Sequence, residues 1–111
     1  MLTCRVETDL DAGCMRVTDL HTRVEVGRCY ISWHPDYTII SYIEVAEYAR
    51  RRGVGAFILD FIQKENKKTL ILGTQSMNVQ ARAFYKAIGF KEVQRVRIDP
   101  GSLMLERLCS I

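Results

Sequence analysis

The segment Arg50-Arg51-Arg52-Gly53-Val54-Gly55-Ala56 places three cations and two glycines directly before a run whose apolar residues recur at helical spacing. The first turn of a helix has backbone N–H groups without internal partners and carries the positive end of the helix dipole. Glycine there removes the Cβ that would hold a ligand away from those donors. The chemistry this arrangement suits is main-chain binding of a compact anion, a pyrophosphate being the natural candidate. The Gly-Lys-Ser/Thr ending of a Walker A loop is missing, and the spacing does not fit the dinucleotide pattern G-x-G-x-x-G.

A second stretch, Asn78-Val79-Gln80-Ala81-Arg82-Ala83-Phe84-Tyr85-Lys86-Ala87-Ile88-Gly89-Phe90, carries the other informative groups. Asn78 is a good N-cap, and Gly89 suits a left-handed C-terminal cap. Phe84 and Ile88 are spaced to pack on a sheet, which leaves Tyr85 at the edge of the buried face. Its hydroxyl either points into a cleft between two helices or sits in water on a core-edge tyrosine. Three groups offer themselves as a base: Glu44, His34 and Asp36. Strand alternation turns Glu44 away from Ile43 and Val45, and it also reads as a plain solvent-facing residue.

These groups need elements to position them. Cys4 to Thr8 and Cys14 to Thr18 read as paired strands around a turn over Asp9 to Gly13. Arg23 to Trp33 alternates again, and His34-Pro35-Asp36 makes a tight turn. Tyr37 to Val45 is β-branched and aromatic, which predicts a central, largely buried strand. The period then changes: Val54, Phe57, Ile58, Phe61 and Ile62 mark a helix through about Glu65. Thr69 to Leu72 is a short strand ending at Gly73, the Asn78 stretch is a second helix, Phe90 to Ile98 a strand, Asp99 to Gly101 a turn, and Leu103 to Leu108 a last strand. The middle of the chain has the alternation of a βαβ crossover. The expected fold is mixed α/β (α+β): a mostly antiparallel sheet with one central parallel pair and two main helices, forming a single domain over residues 1–111.

Composition narrows the function classes. The 111 residues are 48% apolar and 26% charged, as in an ordinary globular domain, and the net charge is +3. The arginines sit beside glycines rather than along a basic stripe, which argues against nucleic acid as the partner. The four cysteines, Cys4, Cys14, Cys29 and Cys109, have no C-x-x-C spacing, and only His21 and His34 could join them, so no metal site is expected. No signal peptide and no apolar run of membrane-spanning length is visible. The expectation is a cytoplasmic protein with reduced cysteines that act as small buried hydrophobes. Strands at the N-terminal edge invite pairing, so a homodimer is an open expectation.

Taken together, the strand ending at Val45, the Arg50-x-x-Gly53-x-Gly55-Ala56 turn and the Asn78…Ala81…Phe84-Tyr85…Gly89-Phe90 helix resemble the GNAT superfamily of acetyl-CoA-dependent N-acetyltransferases, over roughly Tyr37 to Leu108. The resemblance implies that the backbone from Arg50 to Ala56, including Arg51, Arg52, Gly53, Val54 and Gly55, binds the pyrophosphate of coenzyme A. It implies that the strand before the turn splays from its neighbour and pairs through Ile43 to Val45 with the pantetheine arm. Asn78 then lies near the pantetheine, and Tyr85 near the thioester sulfur, where its hydroxyl would assist the leaving thiolate. The implied reaction is direct attack of an amine on acetyl-CoA, with Tyr85 and Glu44 as catalytic candidates and a backbone N–H near Val45 facing the developing charge. The acceptor would be a protein lysine, a protein N-terminus or a small amine. Two departures stand out. The proline common two residues after the valine is Glu47 here. The strand and two helices with which the family usually opens read here as strands and turns only, which implies an acceptor site that is open, or completed by a partner or a second copy. The competing expectation is a catalytically degenerate module that binds acyl-CoA or another protein.

Overall fold

The computed structural model describes residues 4–75, 77–93 and 102–108. Its strands are β1 (Val6–Asp11), β2 (Cys14–Asp19), β3 (Glu25–Trp33), β4 (Tyr37–Val45), β5 (Thr69–Gln75), β6 (Lys91–Val93) and β7 (Ser102–Arg107). Two helices, α1 (Val54–Asn66) and α2 (Val79–Ala87), flank β5 in sequence. The seven strands form one sheet in the order β1-β2-β3-β4-β5-β7-β6. Among the described strands, only β4 and β5 run parallel, as a strand–helix–strand crossover requires. The expected fold class is therefore observed.

The first hairpin differs from expectation in a simple way. β1 continues through Asp11, and Ala12-Gly13 alone makes the turn, with Gly13 at φ 81°. Asp9 looks like a turn residue by type, yet it faces Arg16 across the ladder, where the two form an ion pair at 3.8 Å. The expected strand from Phe90 to Ile98 begins at Lys91 and is described as far as Val93; its remainder and the turn at Asp99 to Gly101 lie outside the described residues.

Alternation sends Met15, Val17, Cys29, Ile31 and Ile40 to one face of the sheet, where Ile58, Leu59 and Ile62 of α1 close over them. This helix lies so near β3 that a Cβ on Gly27 would stand 2.9 Å from Ile58 Cδ1 and 3.0 Å from Val54 Cγ1. A side chain at this strand position would make Ile58 and Val54 shift, and glycine lets the helix approach without that. α2 reaches the same core through Tyr85, and no described helix lies on the opposite face. There Arg28, Tyr30, Tyr42 and Glu44 stand toward solvent.

Arg107 of β7 ties the two helices together. Its guanidinium pairs with Asp60 (2.9 Å) and donates to Gln63 Oε1 (2.7 Å) on α1, donates to the Ile88 carbonyl (3.1 Å) at the end of α2, and lies 5.3 Å from the Phe90 ring centroid. One side chain with a planar, multidentate head thus bridges α1 at Asp60 and Gln63 to the end of α2.

Candidate functional site

β4 and β5 are partners only from Tyr37↔Thr69 to Ile40↔Leu72. Beyond Ile40, β4 stays with β3 while β5 continues with β7 as far as Gln75↔Ser102. A gap therefore opens between the central strands. Its origin is local. Tyr30 pairs with Tyr42 and Ile31 with Ile40, so Ser41 is an extra residue on β4. Such a bulge bends its strand and sharpens the twist, and here it falls where the parallel pairing stops.

The backbone of β4 offers polar groups to that gap. The Ala46 N–H donates to the Val26 carbonyl at 2.8 Å, so Ala46, Glu44 and Tyr42 direct their backbone groups to β3. By alternation, Ile43 and Val45 direct theirs to the open side. The Val45 carbonyl accepts from Arg50 Nε at 3.1 Å. The half-buried Ile43 and Val45 side chains pack on the helix-side core.

A 3-10 turn over Glu47–Ala49 follows, and then the arginines. Arg51 adopts φ 66° and Gly53 φ 84°, while Arg52 between them does not cross into positive φ. Alternation of this kind curls the main chain so that successive N–H groups face one side, an anion-binding concavity. A positive φ costs an arginine on the order of 1 kcal/mol, which marks this turn as held by its surroundings. Gly53 is the N-cap of α1 and has no capping side chain. The first intrahelical bond runs from the Phe57 N–H to the Gly53 carbonyl at 2.9 Å, which leaves the N–H groups of Val54, Gly55 and Ala56 without helix partners. The side chains of Arg51 and Arg52 are exposed, whereas that of Val54 is buried, so only its backbone can serve a ligand. The result is a main-chain concavity with free donors, of the kind that suits an anion.

Gly55 answers to a neighbour as well. A Cβ there would come 3.1 Å from Phe84 Cζ on α2 and 3.8 Å from Val45 Cγ2. Phe84 is accordingly not a sheet-packing residue, as its spacing led us to expect. It is 38% exposed and lies over the first turn of α1, while Tyr85, at 9%, turns into the core against Phe90. The spacing put Phe84 on the sheet and Tyr85 at the edge of the buried face; the burial of the two is the reverse. Burial first, and then neighbouring Cys29, raise the Tyr85 pKa, so the hydroxyl keeps its proton at neutral pH. Asn78 Oδ1 accepts from the Ala81 N–H at 3.0 Å, the expected cap. Gly89, at φ 101°, completes the other end of the helix, with the Phe90 N–H bonded to the Tyr85 carbonyl and the Gly89 N–H to that of Lys86.

The three candidate bases separate. Glu44 lies on the helix-free face, and Tyr42 donates its hydroxyl proton to Glu44 Oε2 in a short hydrogen bond that raises the tyrosine pKa. His34 stacks on Tyr37 at 4.7 Å and shares a 3.0 Å hydrogen bond with Ser32. It and Asp36 lie just before Tyr37, the end of β4 that remains paired with β5, and so more than about 26 Å of strand from Val45 at ~3.3 Å per residue. Cys29 is fully buried, and desolvation pushes its thiol up to about 12. Among the described residues, no group of three or more His, Cys, Asp or Glu side chains could hold a metal, and no helix is long and apolar enough to cross a membrane.

A family model described as an acetyltransferase (GNAT) domain matches residues 11–92. The match begins well before Tyr37, so β2 and β3 belong to the matched span too. A search of curated proteins returns no match. Among solved structures, nourseothricin acetyltransferase is similar at 19% identity and TM-score 0.73, over 86% of this chain and 64% of its own. The ribosomal-protein-S18-alanine N-acetyltransferase of Escherichia coli is 19% identical with TM-score 0.70, over 88% of this chain and 69% of its own. The PaiA N-acetyltransferase of Thermoplasma acidophilum, solved in complex with coenzyme A, is 14% identical with TM-score 0.72, over 86% of this chain and 59% of its own. The chain thus spans 59% to 69% of the lengths of these three relatives.

Proposed function

The chain belongs to the GNAT acetyltransferase family, and from that premise we propose that it transfers the acetyl group of acetyl-CoA directly to an amine. The observation that carries this reading is the bulge at Ser41, which opens β4 from β5 beside a helix start with unpaired N–H groups.

When bound, acetyl-CoA supplies the activated thioester. The residues from Arg51 to Ala56 hold its pyrophosphate through main-chain donors, with Arg50, Arg51 and Arg52 adding positive charge. Ile43 and Val45 pair with the pantetheine through backbone groups as an added strand would. Their N–H groups donate toward the thioester oxygen, a preorganised arrangement that favours charge developing there. Tyr85 hands its proton to the departing sulfur. An alkyl amine with pKa about 10.4 is mostly protonated at neutral pH, and Glu44 takes the proton that must leave before attack. Asn78 holds the start of α2 beside the pantetheine.

The test is calorimetric titration with acetyl-CoA, followed by thiol release in the presence of amine acceptors. Gly53→Glu puts a carboxylate and a strained φ into the cradle and should abolish binding. Unchanged affinity in that variant would overturn the anion-turn reading. Tight binding with no transfer to any amine would identify a module that carries acyl-CoA without using it.

A further inference from the structure

On the sheet face opposite the helices, Tyr30 and Tyr42 are cross-strand partners whose ring centroids lie 5.8 Å apart. They are 39% and 47% exposed. Glu44 follows Tyr42 on the same face and is tied to it through the tyrosine hydroxyl. The cross-strand partner of Glu44 is Arg28, which would neutralise it if free. Arg28 is engaged elsewhere: Nη2 and Nε reach the two Glu25 oxygens at 2.9 and 3.0 Å, and Nη1 donates to the Tyr30 hydroxyl at 3.2 Å. Glu25 therefore balances Arg28, Arg28 steadies Tyr30, and Glu44 forms no ion pair among the described residues. What remains is one uncompensated carboxylate, fixed in direction and bordered by two open aromatic faces.

We infer that this Tyr30–Tyr42–Glu44 array is the acceptor site, and that it takes a lysine side chain of a polypeptide. The carboxylate matches one ammonium, the ring faces attract a cation electrostatically, and the same rings suit the apolar stalk behind it. An α-ammonium lacks that stalk, because a carbonyl follows one carbon away. The location fits as well. Tyr42 and Glu44 flank Ile43, whose backbone looks into the gap between β4 and β5, so a lysine on this face meets that gap from the side away from the helices. The inference rests on the acetyl-transfer reading for its chemistry. The lysine nitrogen forms its bond to the acetyl carbon as the carbon–sulfur bond breaks, and the sulfur keeps the bonding electron pair. Of the two protons the ammonium gives up, the first passes to Glu44 and on to water. The second leaves the nitrogen as the amide forms and passes through water to the Tyr85 oxygen, restoring the proton that Tyr85 delivers to the sulfur.

The experiment uses the full chain and three end-blocked heptapeptides, identical except for a central lysine, norleucine or arginine, plus a lysine-free peptide with a free α-amine. Binding is read by the ε-methylene proton resonance of the lysine peptide, which ring currents from Tyr30 and Tyr42 should shift upfield. Transfer is read by mass spectrometry with acetyl-CoA. The expected result is binding and Nε-acetylation of the lysine peptide, with norleucine binding at least tenfold weaker. Tyr30→Leu and Tyr42→Leu should each lower kcat/KM about 3-fold, and together about 10-fold, with acetyl-CoA affinity unchanged. Tyr42→Phe keeps the ring and releases only Glu44, so its loss should fall on kcat more than on KM. Acetyl-CoA binding with transfer only to the α-amine peptide, or tyrosine variants equal to wild type, would overturn the inference. Failure to bind acetyl-CoA at all would sink the acetyl-transfer reading alone. The resonance shift, measured without acetyl-CoA, would still decide whether the array holds lysine.

Discussion

Phe84 of α2 lies against Gly55 of α1 so closely that a Cβ on the glycine would stand 3.1 Å from Phe84 Cζ. Gly55 thus answers to an aromatic ring from the other helix and, in the proposed function, to an anion at the helix start. Gly55→Ala gains about 1 kcal/mol of helix propensity and strains the ring contact. Phe84 is partly exposed and can swing aside, so the melting temperature should move by only a few degrees. The displaced ring should enter the gap and weaken acetyl-CoA binding about tenfold. Combining Gly55→Ala with Phe84→Leu should restore affinity, and a double-mutant cycle by calorimetry measures the coupling.

Tyr85→Phe should cut thiol release roughly 100-fold while acetyl-CoA affinity and melting temperature stay near wild type. Because burial and Cys29 raise the Tyr85 pKa, the wild-type rate should hold its proton-donating form past pH 10 and fall only above that. The variant should lack that alkaline limb. A pH profile of kcat for both proteins checks the assignment.

Much of this site was legible from residue type and spacing. The helix start at Val54, the cap at Asn78, the left-handed Gly89 and the strand ending at Val45 all follow from local rules. The bulge at Ser41 was not legible, because it exists only in the register between β3 and β4, and a serine within a β-branched run gives no local sign of it. The face on which Glu44 sits was undetermined for the same reason. Arg107 meets Asp60, Gln63, Ile88 and Phe90 across long sequence separations, so no pattern in the chain announces it. Phe84 and Tyr85 exchange their expected roles because the rotation of α2 is set by the sheet beneath it, through Phe90 and Cys29.

Burial pushes the Cys29 thiol up to about 12, against about 8.5 for a free thiol. The folded state then binds more protons than the unfolded chain between these values, so stability is intact below about pH 8.5 and declines toward pH 12. Cys29→Ala should flatten that decline while lowering stability at neutral pH through lost packing. Denaturant melts from pH 7 to 11 give both quantities. Alkylation at pH 8 should label half-buried Cys4 and Cys14 well before Cys29.

Thr38 is fully buried on β4, and its hydroxyl finds no hydrogen-bond partner among the described residues. An unsatisfied buried hydroxyl costs about 1–3 kcal/mol, and valine has nearly the same shape. Thr38→Val should raise stability by about 1 kcal/mol and the melting temperature by roughly 4 °C. Calorimetric melting of the two proteins checks it.

The strand that comes last in the chain is not last in the sheet: β7 lies between β5 and β6. Residue 70 finds its partner at residue 107, and residue 91 finds its own at residue 106. During synthesis, one edge of β5 stays bare, and the end of α2 lacks its tie to Arg107, until residues 102–107 leave the ribosome. The hairpins from β1 to β4 need no such delay. Folding should therefore proceed in two stages, a fast one among neighbours in sequence and a slower one that admits the final strand. A nascent chain that stops before residue 102 would then hold the strands and the helix start proposed to grip acetyl-CoA, but without Arg107 to tie α1 to the end of α2.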